Sequence, residues 1–301
     1  MTELLLLELT IFILLAVGFL VKKIRIVGAE GQKNITDLVI YVVLPCNIVT
    51  SFLNGMTKDT LTDCLAILLI SIGIQVFGVI YGKLLFRKQP EDKRKSLTYG
   101  IICSNAGFLG NPIAEGVYGA TGLMYASVYL IPQRIMMWSE GLAIYSGEKD
   151  RKRTLVRVVT HPCVIACVIG IILMLTGITL PEAVLTPLKT IGRCNTALSM
   201  FVIGMILAEI DFRTMLDKTV IWFTVNRLVI IPLLVYGVTL LLPVSPTVRG
   251  VSVLLAAMPA GATTTMLALK YDRDPEFATK LVVFSTLLSI PAIMIWSFIL
   301  R

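Results

Sequence analysis

Charge is scarce in this chain of 301 residues: only 15% are Asp, Glu, Lys or Arg. No long polar stretch remains from which a soluble domain could form, which excludes a soluble protein of this length. Histidine is scarcer still. His161 is the single one, and no H-E-x-x-H pattern surrounds it, so little is left for metal chemistry. The six cysteines (Cys46, Cys64, Cys103, Cys163, Cys167, Cys194) fall in apolar runs without metal-ligand spacing. They read as buried small residues, and no disulfides are expected. A P-loop is also missing, so ATP is not the driver. One histidine and scattered carboxylates do not make the catalytic cluster that an intramembrane enzyme needs, and no cofactor is expected.

What the chain has is apolar surface, 56% hydrophobic residues with a mean hydropathy of +0.86. Ten segments are long enough to cross about 30 Å of hydrocarbon. They lie near 4–21, 35–53, 61–85, 97–118, 123–146, 159–179, 184–207, 219–242, 249–270 and 278–300. The first carries Glu3, no basic n-region and no small-residue cleavage site, so it is kept as a span and not taken for a secretory signal. The net charge of +8 and pI near 9.2 invite a nucleic-acid reading, but the basic residues sit in short clusters between spans. Loop one carries Lys22, Lys23, Arg25 and Lys33; loop three carries Arg87, Lys88, Lys93, Arg94 and Lys95. Loop five carries Lys149, Arg151, Lys152, Arg153 and Arg157, and loops seven and nine add Arg213, Lys218, Lys270 and Arg273. Even-numbered loops hold little beyond Lys58 and Arg249. The positive-inside rule makes the odd loops cytoplasmic and both termini external, in the cytoplasmic membrane. Membrane lipid is then the surrounding partner, and nucleic acid is not one.

Two spans are interrupted near their middles. The first reads Ser104-Asn105-Ala106-Gly107-Phe108-Leu109-Gly110-Asn111-Pro112; the second reads Ala256-Ala257-Met258-Pro259-Ala260-Gly261, followed by Thr263-Thr264-Thr265. Broken backbone survives in hydrocarbon only where it is buried in protein or lines a cavity. The chain also repeats. Cys46-Asn47 with Ser51 matches Cys194-Asn195 with Ser199, and Ile135-Met136-Met137-Trp138-Ser139 matches Ile293-Met294-Ile295-Trp296-Ser297, at offsets of about 148 and 158. Five spans per repeat is an odd number, so the second copy enters upside down. The expected fold is an all-α polytopic membrane protein of ten transmembrane helices, a 5+5 inverted repeat with broken crossover helices 4 and 9.

The residues Asn105 to Pro112, then Gly116 and Gly119, resemble the N-x-x-x-x-G-x-P stretch of the auxin efflux carrier family, itself related to the bile acid and sodium symporter-like superfamily. Met258-Pro259-Ala260-Gly261, then Lys270-Tyr271, Pro275 and Pro291, resemble its second crossover and final helix. The resemblance covers all ten spans, with the two crossovers as its specific part. The chain lacks the long cytoplasmic loop of many plant members. It has Phe108 and Asn111 where those often carry a proline and an aliphatic residue, so it resembles a compact bacterial member for which small organic acids, not auxin, are the expected substrates. The resemblance implies a scaffold of 1–60 and 155–212 (spans 1, 2, 6, 7), a transport domain of 61–154 and 213–301 (spans 3–5, 8–10), and a homodimer through the scaffold.

Asn111 and Pro112 suit the first positions of a second half-helix, whose unpaired N–H groups favour a carboxylate. Pro259, Gly261 and Thr263 are expected to do the same from the other repeat. Asn105 can donate and accept at the crossing, and its family counterpart lines the substrate site. Arg134, beside Gln133 and after Pro132, is a charge near the centre of span five; it binds the anion or pairs with Glu115 or Glu140. Glu115 is a candidate proton-coupling group or a salt-bridge partner. Arg193 and Arg227 read as snorkelling side chains, His161 as an interface residue, and Asn47 and Asn195 as joints between scaffold helices. Gly100 and Gly250 read as close-packing positions. The expected activity is secondary transport of small organic anions by alternating access, with H⁺ or Na⁺ as coupling ion. The alternative is a membrane ligand sensor that uses the same pocket without transport.

Overall fold

The computed structural model describes residues 2–54, 58–146, 156, 159–208 and 217–300, and every regular element among them is a helix. Lys149, Arg151, Lys152, Arg153, Arg157 and Arg213 lie outside the described residues. In chain order the helices are α1 (Thr2–Lys23), α2 (Ala29–Ser51), α3 (Lys58–Leu85), α4 (Glu91–Ile102), α5 (Asn111–Trp138), α6 (Glu140–Ser146), α7 (Pro162–Thr176), α8 (Glu182–Ala208), α9 (Lys218–Leu241), α10 (Pro246–Ala256), α11 (Thr263–Lys270) and α12 (Pro275–Ile299). By length and composition α2, α8, α9, α12 and residues Thr60–Leu85 of α3 are each able to cross a membrane; α7 and α10 are shorter apolar helices. Leu65, Leu69, Ile72, Val76 and Ile80 form an exposed apolar stripe along α3. Hydrocarbon, not water, is the solvent for such a face. The chain is an all-helical, polytopic membrane protein.

Two sets of helices pack among themselves. In one, α1 runs along the second half of α8, with Gly18 against the Phe201 carbonyl and Gly204 against the Leu15 carbonyl, where a Cβ has no room. Small residues allow this approach between membrane helices. In the same set α2 packs on α7 and α8. In the other, α5 packs on α3 and α10, and α12 packs on α9 and α11. Gly100 of α4 abuts the Phe223 ring and Gly250 of α10 abuts Tyr118, as expected for these positions. Of the six cysteines, Cys64, Cys103, Cys163 and Cys167 are buried, Cys46 is half-buried, and Cys194 is exposed where a buried thiol was expected.

Prolines shape the helices in a way that hydropathy does not reveal. Widened π-turns occur at Val39–Val43, Ala106–Gly110 and Asn226–Ile230. Pro45, Pro112 and Pro232 follow them, each four residues beyond a member of its turn (Tyr41, Phe108, Leu228). A proline offers no N–H to the carbonyl four residues earlier, and its ring clashes with that carbonyl; widening the turn relieves the clash without ending the helix. This corrects the expected role of Asn111 and Pro112. The helix is already running when it reaches them, and Asn111 has helical φ −59° and ψ −51°. The break lies earlier, at Cys103–Asn105, with Asn105 as the N-cap of the restarting helix. Further on, the fourth and fifth expected spans meet inside α5 at Gly119, whose φ of 65° and ψ of −157° suit glycine alone.

Candidate functional site

The two breaks touch. Ser104 and Ala260 form an antiparallel bridge, in which Asn105 N–H donates to Pro259 O at 2.8 Å and Gly261 N–H donates to Cys103 O at 2.9 Å. Backbone groups that the broken helices cannot satisfy internally thus satisfy each other, as burial in an apolar surround demands. Side chains complete the joint. The Gln133 amide donates to Ser104 O at 2.7 Å and its carbonyl oxygen accepts from the Ser104 hydroxyl at 3.1 Å. Ala260 N–H donates to Ser285 Oγ at 3.2 Å. Tyr99 OH donates to Thr263 Oγ1 at 3.0 Å. Asn105, Gln133, Pro259, Gly261 and Thr263 therefore gather around one bridge, although the first contact of Gln133 is with the backbone break itself.

Arg134 stands beside this joint. A Cβ on Gly107 would lie 3.5 Å from Arg134 Nη2, so the guanidinium flanks the first turn of the restarting helix. That turn presents the leading N–H groups and the positive end of a half-helix. Arg134 Nη1 lies 3.2 Å from His161 Nε2 and 3.4 Å from Nδ1. The two carboxylates that could have neutralised it are engaged elsewhere. Glu140 pairs with Lys83, and Glu115 accepts from Asn47 Nδ2 at 2.9 Å. Among the described residues no carboxylate pairs with Arg134. A half-buried guanidinium beside a glycine-containing turn at a helix N-terminus makes an electropositive position that suits an anion.

Asn111, Pro112 and Glu115 lie beyond this turn, in the first residues of α5. Asn111 is fully buried, and neither end of its amide has a hydrogen-bond partner. Glu115 faces the other helix set, since Asn47 belongs to α2 and the Asn195 amide of α8 lies beside the same carboxylate. Asn47 thus reaches across to α5 instead of joining its own neighbours.

Sequence reasoning misplaced Arg227. This residue is 3% exposed and sits inside the crossover, where Nε donates to Met258 O at 2.9 Å and Nη1 donates to Ile101 O at 3.2 Å. The available signal was its depth in the run from Lys218 to Leu241, too far from either end for easy snorkelling.

A family described as "Membrane transport protein" matches residues 6–297. An uncharacterized transporter of Methanothermobacter thermautotrophicus is 28% identical over 303 residues, covering 97% of each chain. One from Methanocaldococcus jannaschii is 24% identical over 304 residues, again 97% of each. The uncharacterized transporter YfdV of Escherichia coli is 22% identical over 306 residues, covering 97% of this chain and 96% of its own. The chain therefore belongs to the membrane transport protein family, the auxin efflux carriers that its crossover motifs resemble, and is a transporter rather than an enzyme.

Proposed function

We propose that this protein is a secondary carrier of small organic anions, mono- or dicarboxylates, across the cytoplasmic membrane by alternating access. The observation that carries the proposal is Arg134: a guanidinium within an apolar helix, beside the restarting half-helix and without a carboxylate partner among the described residues. A cation held in an apolar surround favours a substrate that brings the missing negative charge. Asn105 supports the reading, because its side-chain amide bonds no described residue and stands at the N-cap of that half-helix.

The antiparallel bridge between the breaks supports ten spans in a 5+5 inverted repeat, and the two packing sets support a scaffold of 1–60 and 155–212 moving against a transport domain of 61–154 and 213–301. In this reading Pro259, Gly261 and Thr263 shape the pocket, Gln133 holds its floor, and Asn111 and Pro112 support it from the helix beyond. Glu115 carries the coupling proton, since its carboxylate meets Asn47 at the boundary between the two units. The basic odd-numbered loops favour external termini, and the scaffold offers the homodimer contact.

The test is uptake into proteoliposomes of labelled malate, malonate, succinate, lactate and indole-3-acetate, with and without a pH gradient. Saturable, gradient-dependent uptake of one acid is expected. Arg134→Ala and Asn105→Ala should each abolish it without loss of folded protein. Unchanged flux in both variants would refute the site, and no flux of any acid by folded protein would refute the carboxylate substrate and favour a substrate of another class or a ligand sensor.

A further inference from the structure

α4 and α10 enter the crossover with their C-terminal ends leading, and they stop at Ile102 and Ala256. Each C-terminus carries about half a unit of negative charge on its unpaired carbonyls, so together they amount to about one. Converging C-terminal ends and unwound carbonyls at mid-membrane are a binding arrangement for a coupling cation. Here the space beside Ile101 O and Met258 O is taken by the Arg227 guanidinium, which bonds both. No carboxylate among the described residues pairs with Arg227, so the backbone of the two helix ends is its counter-charge.

Its position is fixed by its surroundings. Arg227 lies in the π-turn Asn226–Ile230 that Pro232 imposes. On one side of it the Asn226 amide donates to Trp222 O and its carbonyl oxygen accepts from Tyr81 OH; on the other, Leu228 O accepts the Trp296 indole N–H at 2.9 Å. The charge is preorganised and does not depend on substrate.

We infer that the Arg227 guanidinium is the built-in cation of the crossover: it stands where a sodium-coupled carrier would hold its ion, and it makes the site independent of Na⁺. Two arginines divide the work. Arg134 flanks a half-helix N-terminus and faces the anion, whereas Arg227 neutralises the C-terminal ends and acts as a positioning residue. Replacing Arg227 with asparagine leaves the two carbonyl oxygens and adds a side-chain oxygen, a donor set suited to a small hard cation.

Melting in detergent, at equal concentrations of NaCl, LiCl, KCl and choline chloride, tests the inference. The unmodified protein and Arg227→Lys should each melt at one temperature in all four salts. Arg227→Asn should melt lower in choline chloride and regain about 2–4 °C, saturably, with Na⁺ or Li⁺. Saturable stabilisation of the unmodified protein or of Arg227→Lys by Na⁺ would overturn the inference. So would an Arg227→Asn protein equally destabilised in every salt, the signature of an arginine with a packing role alone. Should Arg227→Asn yield no folded protein, the other two forms decide. The consequence for flux, equal uptake in Na⁺ and K⁺, rests on the carrier reading; the melting comparison does not, so the two can fail separately.

Discussion

At the residue scale, Arg193, Arg134 and Arg227, each within an apolar helix, have different fates. Arg193 of α8 is exposed, Arg134 is half-buried beside Gly107, and Arg227 is buried on two backbone carbonyls. A charge in an apolar run is costly wherever it lies, so the cost alone does not separate them; the groups each one meets do. Asp217 shows the same dependence in a group outside the membrane. It caps α9 by accepting the Thr219 N–H at 2.7 Å, with Lys93 Nζ at 3.4 Å. Partial burial raises its pKa, but the Thr219 amide and the Lys93 charge outweigh that and hold the carboxyl below its ordinary 3.8. A depressed folded pKa contributes stability that is complete above the ordinary value and lost as pH falls through the lower one. Asp217→Asn keeps a capping oxygen but cannot titrate, so its Tm should fall less steeply than that of the unmodified protein below about pH 4. Parallel melting curves in acid would contradict this.

At the element scale, the prolines explain where the helices deform. Pro232 leaves Leu228 O without a helical donor, and the indole of Trp296 supplies one from α12. Trp296→Phe keeps an aromatic ring near Tyr236 and removes the N–H, leaving a buried carbonyl unsatisfied. The expected loss is about 1–3 kcal/mol, read as a lower Tm in detergent; an unchanged Tm would mean that another donor reaches Leu228. Pro112 was legible in the sequence as a disruption, but its effect was read in the wrong direction. A proline signal says that one helical hydrogen bond is missing, and leaves open whether the helix breaks or widens. The actual break at Cys103–Asn105 carries no proline and is held open by bonds to Pro259 and Gly261.

At the scale of the whole molecule, the Asn47–Glu115 bond spans the two packing sets. If these sets move against each other, tying them together should stop transport. In a background free of the six native cysteines, Asn47→Cys with Glu115→Cys, joined by a short bifunctional thiol reagent, should arrest uptake. Because Glu115 is also the proposed proton carrier, the comparison is with the same double variant left unjoined, where residual facilitated flux down a substrate gradient should persist. Equal flux in joined and unjoined protein would argue against relative motion at this boundary.

The amino-acid sequence by itself determined that this is an all-helical membrane transporter of its family, and which two stretches are interrupted. Those features are local, since hydropathy, Pro and Gly act through the few residues around them. Only the tertiary structure decided that the breaks pair, that Gln133 clasps Ser104, that Asn47 meets Glu115, and that Arg227 belongs to the crossover. Each of these joins residues far apart in the chain. Which distant carbonyl a buried side chain meets is settled when helices pack, because only then does the apolar surround force every polar group to find a partner.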